Sequence, residues 1–260
     1  MERALWSAVS GMKAQELSLD TIANNLSNIN TTGFKPSQIN FQDMLYSELT
    51  TPGATSGQSV IPNGIQIGHG TKVAEISRNF KQGALKETGR DLDLAIEGDG
   101  FFEVVLPDGS SAYTRDGSFR QTASGEVVTV DGFKVANFDT IDDGTTDITI
   151  APDGSFSTVV NGVQTTKTGV TLVRFPNPEG LQSLGRNLFK PSESSGDAQS
   201  GLTPGENGTG MLAHRYVEQA GVNAAEELVN MILSQRAYEA SSKAIKASDE
   251  MLELANNLRR

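Results

Sequence analysis

The chain has 260 residues, 37% of them hydrophobic, with 27 glycines and a formal net charge of −11. That charge leaves no basic stripe for a phosphate backbone or an anionic membrane surface, so neither nucleic acid nor direct membrane insertion is expected. There is no cysteine and there are only two histidines, His69 and His214, which excludes a disulfide framework and a thiolate metal site and disfavours a histidine-rich one.

Helix breakers divide the chain into three parts. Residues 1–30 hold one glycine, Gly11, and residues 222–260 hold none, whereas all nine prolines lie between Pro36 and Pro204. Each end sums to a charge of −1, leaving −9 for the middle. The opening Met1-Glu2-Arg3-Ala4-Leu5-Trp6 is too polar for a secretory signal, and no segment approaches the roughly 20 apolar residues of a membrane span.

The N-terminal segment predicts a helix with a heptad seam at Leu5, Val9, Met12, Glu16, Leu19, Ala23 and Leu26. Phe41-Gln42-Asp43-Met44-Leu45-Tyr46 follows, and then the Pro-, Ser- and Gly-containing stretch Ser47–Gln66, which reads as loosely structured. From Thr71 to Phe80 the pattern alternates as in a strand. Leu92 to Leu106 holds two apolar runs around Gly98-Asp99-Gly100, and Pro107-Asp108-Gly109 predicts a hairpin turn before Ser111–Arg115. Asp131-Gly132, Pro152-Asp153-Gly154 and Asn161-Gly162 mark further turns of an all-β region.

Residues 191–210 are again rich in Pro, Ser and Gly. The C-terminal segment carries a second seam at Leu233, Ala237, Ala240, Ala244, Ala247, Met251, Leu254 and Leu258. An alanine seam permits close approach but buries little area at about 25 cal/mol per Å², so it needs further partners. These helices are read either as an antiparallel hairpin within one protein or as elements packed against other copies.

The expected fold is α+β. The N- and C-terminal helices (1–30 plus 222–260) pair as a coiled-coil domain around an inserted all-β domain (71–190), with a linker and insertion at 31–70 and a return linker at 191–221.

A catalytic reading finds little to stand on. There is no Gly-x-Ser-x-Gly elbow, no phosphate-binding Gly-x-x-x-x-Gly-Lys and no His-Glu-x-x-His. Asp139, Asp142, Asp143 and Asp147 fail the EF-hand spacing and read as a solvated acidic turn. Asp91, Asp93, Glu97 and Asp99 are carboxylate candidates for sugar hydrolysis by proximity alone. No catalytic, cofactor or metal residue is assigned, and the chain is not expected to be an enzyme.

Ala23-Asn24-Asn25-Leu26-Ser27-Asn28 followed by Thr32-Gly33-Phe34-Lys35 resembles the signature of the bacterial flagellar rod and hook family of axial proteins. Asparagine competes with helical backbone and Gly33 permits a sharp exit, so the block suits a helix end. Ala95-Ile96-Glu97-Gly98-Asp99-Gly100-Phe101-Phe102, Tyr113-Thr114-Arg115-Asp116-Gly117-Ser118-Phe119 and the stretch from Val217-Glu218 through Gln235-Arg236-Ala237-Tyr238-Glu239 also resemble that family. The likeness covers essentially the whole chain.

The resemblance implies a structural subunit of the flagellar basal body, exported through a type III apparatus without a cleaved signal and assembled across the periplasm. Its implied partners are copies of itself in a helical tube, proximal rod proteins, the hook protein and surrounding ring proteins. Asn24, Asn25, Gly33, Phe34 and Lys35 carry the signature. The implied assembly seam comprises Leu5, Val9, Met12, Leu19 and Leu26 with Leu233, Ala237, Ala240, Ala244, Ala247, Met251, Leu254 and Leu258. Within the family, an insertion at the position of Ser47–Gln66 goes with a straight, stiff rod rather than a curved hook.

Overall fold

The computed structural model describes residues 2–50, 55–56, 59–60, 63–160, 162–167 and 169–257. It divides into two compact units. One contains residues 1–27, 37–77 and 223–260, and the other residues 28–36 and 78–222. The architecture is α+β, with a helix at each end and strands between. No helix among the described residues is long and apolar enough to cross a membrane.

In the first unit, α1 (Glu2–Ser27) and α2 (Ala224–Asn257) run uninterrupted because their interiors lack proline and hold a single glycine. Asn223 starts α2: its side-chain oxygen accepts from the Ala225 amide and its carbonyl from the Glu227 amide. Acidic Glu226 and Glu227 then occupy the positive end of the helix dipole. The helices pack against each other in antiparallel register. Asn25 meets Glu227, Ser18 meets Ser234 and Gly11 faces Ser241.

The stripe between them differs from the two predicted seams. Ala14, Ser18, Ile22 and Asn25 are the buried residues of α1, and Ser234 and Ser248 those of α2. Apart from Ile22, small or polar residues line this stripe, with Ser18 Oγ 3.1 Å from Ser234 Oγ.

The same unit holds Ser37–Asp43 paired with Thr71–Arg78, and a ribbon of Tyr46–Thr50 antiparallel to Ile65–Gly68. Within the Ser47–Gln66 stretch, Thr55–Ser56 also pairs with Ser59–Val60. Backbone pairing therefore extends into a segment that composition alone marks as loose. Residues 51–54, 57–58 and 61–62 of that stretch lie outside the described residues.

The second unit is β-rich. Its largest sheet has seven antiparallel strands in the order Arg120–Gln121, Val127–Val128, Lys134–Val135, Phe102–Val105, Ser111–Thr114, Leu188–Lys190, Gln182–Gly185. The hairpin expected at Pro107-Asp108-Gly109 forms, with Gly109 at φ 82° and the Asp108 carboxylate accepting from the Ser110 amide. Thr145–Ile150, Phe156–Val160 and Val163–Lys167 make a three-stranded meander. One apolar cluster, containing Leu94, Ile96, Phe102, Phe119 and Phe156, joins the large sheet to the meander.

Residues 191–221, expected as a return linker, carry three strands. Gln199–Leu202 pairs with Leu172–Arg174, Met211–His214 with Leu94–Glu97, and Tyr216–Glu218 with Leu85–Glu87. Ser200 and Gly201 mask the first of them, and the other two are too short to show an alternating pattern.

Candidate assembly elements and the family signature

The signature asparagine is a structural clamp. Asn25 is buried on α1, where its amide nitrogen donates to the Ser37 carbonyl and its amide oxygen accepts from the Ser37 amide, both at 2.9 Å. One side chain thus presents the donor and acceptor pair that a neighbouring strand would offer. The same amide nitrogen donates to Glu227 Oε1 at 2.9 Å. Asn25 therefore holds α1, the start of the first strand and the first turn of α2 together. Asn24, next to it, is exposed.

The second half of the signature sits in the β-rich unit. Gly33 adopts φ 67° and its amide donates to the Glu218 carbonyl at 2.8 Å. A Cβ there would lie 2.8 Å from the backbone of Arg115 and Asp116, so only glycine fits without displacement. Phe34 is buried, and its carbonyl accepts from the Gly221 amide.

Lys35 ends in a buried charge cluster. Its ammonium lies 2.7 Å from Glu218 Oε1, with both side chains about 1% exposed. It also donates to the carbonyls of Lys81 and Phe80. Glu218 Oε1 accepts a further bond from the Gly83 amide at 2.7 Å, while Oε2 lies 3.1 Å from Arg115 Nε as an ion pair without a hydrogen bond. Arg115 Nη1 donates to the carbonyls of Gly98 and Gly100.

Burial pushes the Lys35 ammonium below its ordinary range. Nearby Arg115 lowers it further, and Glu218 offsets part of this. Burial lowers Arg115 as well, again against the pull of Glu218. Four blocks that resemble the family, around Gly33-Phe34-Lys35, Gly98-Asp99-Gly100, Tyr113-Thr114-Arg115 and Val217-Glu218, thus meet in one buried cluster around Glu218 and Arg115. Sequence reading missed Arg115 and Glu218 as partners, because a charge pair separated by 103 positions leaves no periodic trace.

The predicted seam residues fall elsewhere. Leu5, Val9, Met12, Leu19 and Leu26 are half-buried. On α2, Ala237 is half-buried, whereas Leu233, Ala240, Ala244, Ala247, Met251 and Leu254 are exposed. Leu258 lies outside the described residues. Leu228, Val229 and Ile232 add to the exposed apolar face of α2.

Four of the eight acidic candidates lie in ion pairs. Asp91 pairs with Arg215, Asp93 with Arg90, and Asp142 with Lys167. Asp147 lies 3.7 Å from Arg215. No group of residues that could hold a metal ion is found among the described residues.

Comparison with known proteins finds matches at both ends of the chain and in its middle. Residues 5–35 match the family model "Flagella basal body rod protein", residues 95–158 match "Flagellar hook protein FlgE/F/G D1 domain", and residues 213–258 match "Flagellar basal body rod FlgEFG protein C-terminal". The flagellar basal-body rod protein FlgG of Borreliella burgdorferi is 46% identical over 265 residues, with both chains covered in full. The chain belongs to the flagellar basal-body rod protein family. FlgG of Caulobacter vibrioides is 40% identical, with 99% of each chain covered. The similarity to the flagellar hook protein FlgE of Helicobacter mustelae, 43% identity over 142 residues, spans only 52% of this chain and 30% of that protein. Full-length correspondence thus runs to rod proteins and partial correspondence to the hook. The chain is a structural protein of the flagellar basal-body rod.

Proposed function

We propose that this chain is the subunit of the distal rod. It polymerises into a straight, rigid, hollow helical tube that carries motor torque through the periplasm and outer-envelope rings to the hook. The observation that carries this reading is the exposed apolar face of α2, where Leu233, Ala240, Ala244, Met251 and Leu254 meet solvent in a single chain. An apolar face running the length of a helix is ordinarily covered, and other copies are the natural cover. A contact between different surfaces of identical chains does not close on itself and propagates as a helical filament.

In this reading the heptad residues of both helices form the seam between subunits, with proximal rod proteins below and hook protein above. The chain reaches the growing tip through a type III export apparatus, and the ring proteins surround the finished rod. The ribbon of Tyr46–Thr50 and Ile65–Gly68 supports a role in stiffness. It exposes Tyr46, Leu49, Ile65 and Ile67, and a two-stranded ribbon is marginal alone. Ordered against a neighbour, it would fix the angle between subunits.

Sedimentation and electron microscopy of the purified chain test this. Straight tubes that form with rising concentration are expected, and tubes that bend once residues 47–66 are deleted. A chain that stays monomeric at every concentration overturns the reading.

A further inference from the structure

The seam residues leave one apolar feature of the helical unit unexplained. At the start of α1, Arg3, Trp6, Val9 and Lys13 join Met44 and His69 around an open cleft of about 470 Å³. Arg3, Trp6 and Lys13 share one helical stripe, because their spacing keeps them on a single face. Trp6 is 73% exposed, although a tryptophan is among the costliest side chains to leave in water. No carboxylate lines the cleft, and neither Arg3 nor Lys13 forms an ion pair among the described residues. It is an apolar floor with a basic rim in a chain whose net charge is −11.

The other end of the chain offers the complement. Residues 249–257 of α2 contain Asp249, Glu250 and Glu253 and no basic residue. Glu250, Met251, Glu253 and Leu254 lie within one helical turn of one another on adjacent positions of the surface. Met251 and Leu254 are exposed, Leu254 by 64%, and neither glutamate forms an ion pair among the described residues. The nearest basic side chain before them is Lys246; Arg259 and Arg260 follow in the sequence outside the described residues.

We infer that the Trp6 cleft is a socket for the α2 tip of a second copy of this chain. Leu254 and Met251 enter over Trp6, while Glu250 and Glu253 face Arg3 and Lys13. Apolar knobs flanked by acids match an apolar floor flanked by bases, so charge sets the register and the buried indole supplies the contact area. The contact is heterologous, joining a tip to a socket on different copies, which is the geometry a propagating filament requires. This inference rests on the assembly reading above and names one of its contacts.

Charge reversal tests it in the full chain. Arg3→Glu with Lys13→Glu, and separately Glu250→Arg with Glu253→Arg, should each raise the concentration needed for assembly about tenfold. All four substitutions in one chain should bring it back to within about threefold of the wild type. All four positions are exposed on their helices, and glutamate and arginine are both good helix formers, so circular dichroism of each variant should show helix content kept. Either pair assembling like the wild type, or the fourfold variant assembling no better than the pairs, overturns the socket while leaving the assembly reading intact. A wild type that never assembles overturns both.

The absence of native cysteine allows a second reading. A Met44→Cys chain mixed with a tagged Leu254→Cys chain should yield, under air oxidation, a disulfide joining the two kinds of chain in assembled material. Links only between like chains, or none, overturn the socket.

Discussion

Lys35 and Glu218 stand 183 positions apart, yet the Lys35 ammonium lies 2.7 Å from the Glu218 carboxylate with both side chains removed from water. The pair ties the exit of the family signature to the strand Tyr216–Glu218 that precedes α2. Glu218 also receives the Gly83 amide and faces Arg115, so its removal strands two buried cations. Glu218→Gln should therefore cost about 3 to 5 kcal/mol, the range for breaking one side of a buried charge cluster. Denaturant unfolding of the variant measures this. A loss under about 1 kcal/mol would show that solvent reaches the cluster.

The depressed Lys35 pKa sets a pH trend. In the unfolded chain Lys35 keeps its proton up to its ordinary value of 10.5, whereas burial makes the folded chain release it earlier. Between those two values the unfolded state binds more protons, so the Lys35 contribution to stability rises with pH. Stability of the wild type minus that of Lys35→Met should climb as pH rises toward the ordinary lysine value of 10.5. A falling difference would mean that the partnership with Glu218 outweighs desolvation.

Asn25 discriminates between hydrogen-bond geometry and simple polarity. Asn25→Ala removes three bonds and leaves both backbone groups of Ser37 without their side-chain partner, a loss of about 2 to 4 kcal/mol. Asn25→Asp keeps the acceptor for the Ser37 amide but turns a second oxygen toward the Ser37 carbonyl and Glu227. It should be at least as damaging, although it is nearly the same shape. Thermal unfolding of both variants gives the order. An aspartate that behaves like the wild type would rule out the clamp.

How much of this was legible depends on the kind of signal. The two helices follow from the absence of breakers, and the hairpin at Pro107-Asp108-Gly109 from turn chemistry, because both are local properties of the chain. The stripe between α1 and α2 was not legible. Heptad counting follows apolar residues, leucines on α1 and alanines on α2, whereas the contact within one chain also uses Gly11, Ser18 and Ser234, which carry no hydrophobic period. The signature was recognisable as a pattern, but the roles of Asn25 and Lys35 needed the fold. Ser37 and Glu227 for one, and Glu218 for the other, come together only through tertiary structure.

Exposure of Ala244 gives the sharpest separation between folding and assembly. Ala244 faces solvent in the single chain, so Ala244→Leu fills no internal space and should change the stability of the monomer by less than about 0.5 kcal/mol. If copies of the chain meet along the alanine row, the added branched side chain forces their helices apart, at a cost of about 1 to 3 kcal/mol for each contact. The variant should therefore keep its circular dichroism and unfolding midpoint as a dilute monomer, yet fail to form tubes. Tubes of normal length and straightness from Ala244→Leu would move the seam away from the alanine row, toward the start of α2 at Leu228, Val229 and Ile232. Loss of monomer stability would instead mean that α2 already packs through its alanines within one chain.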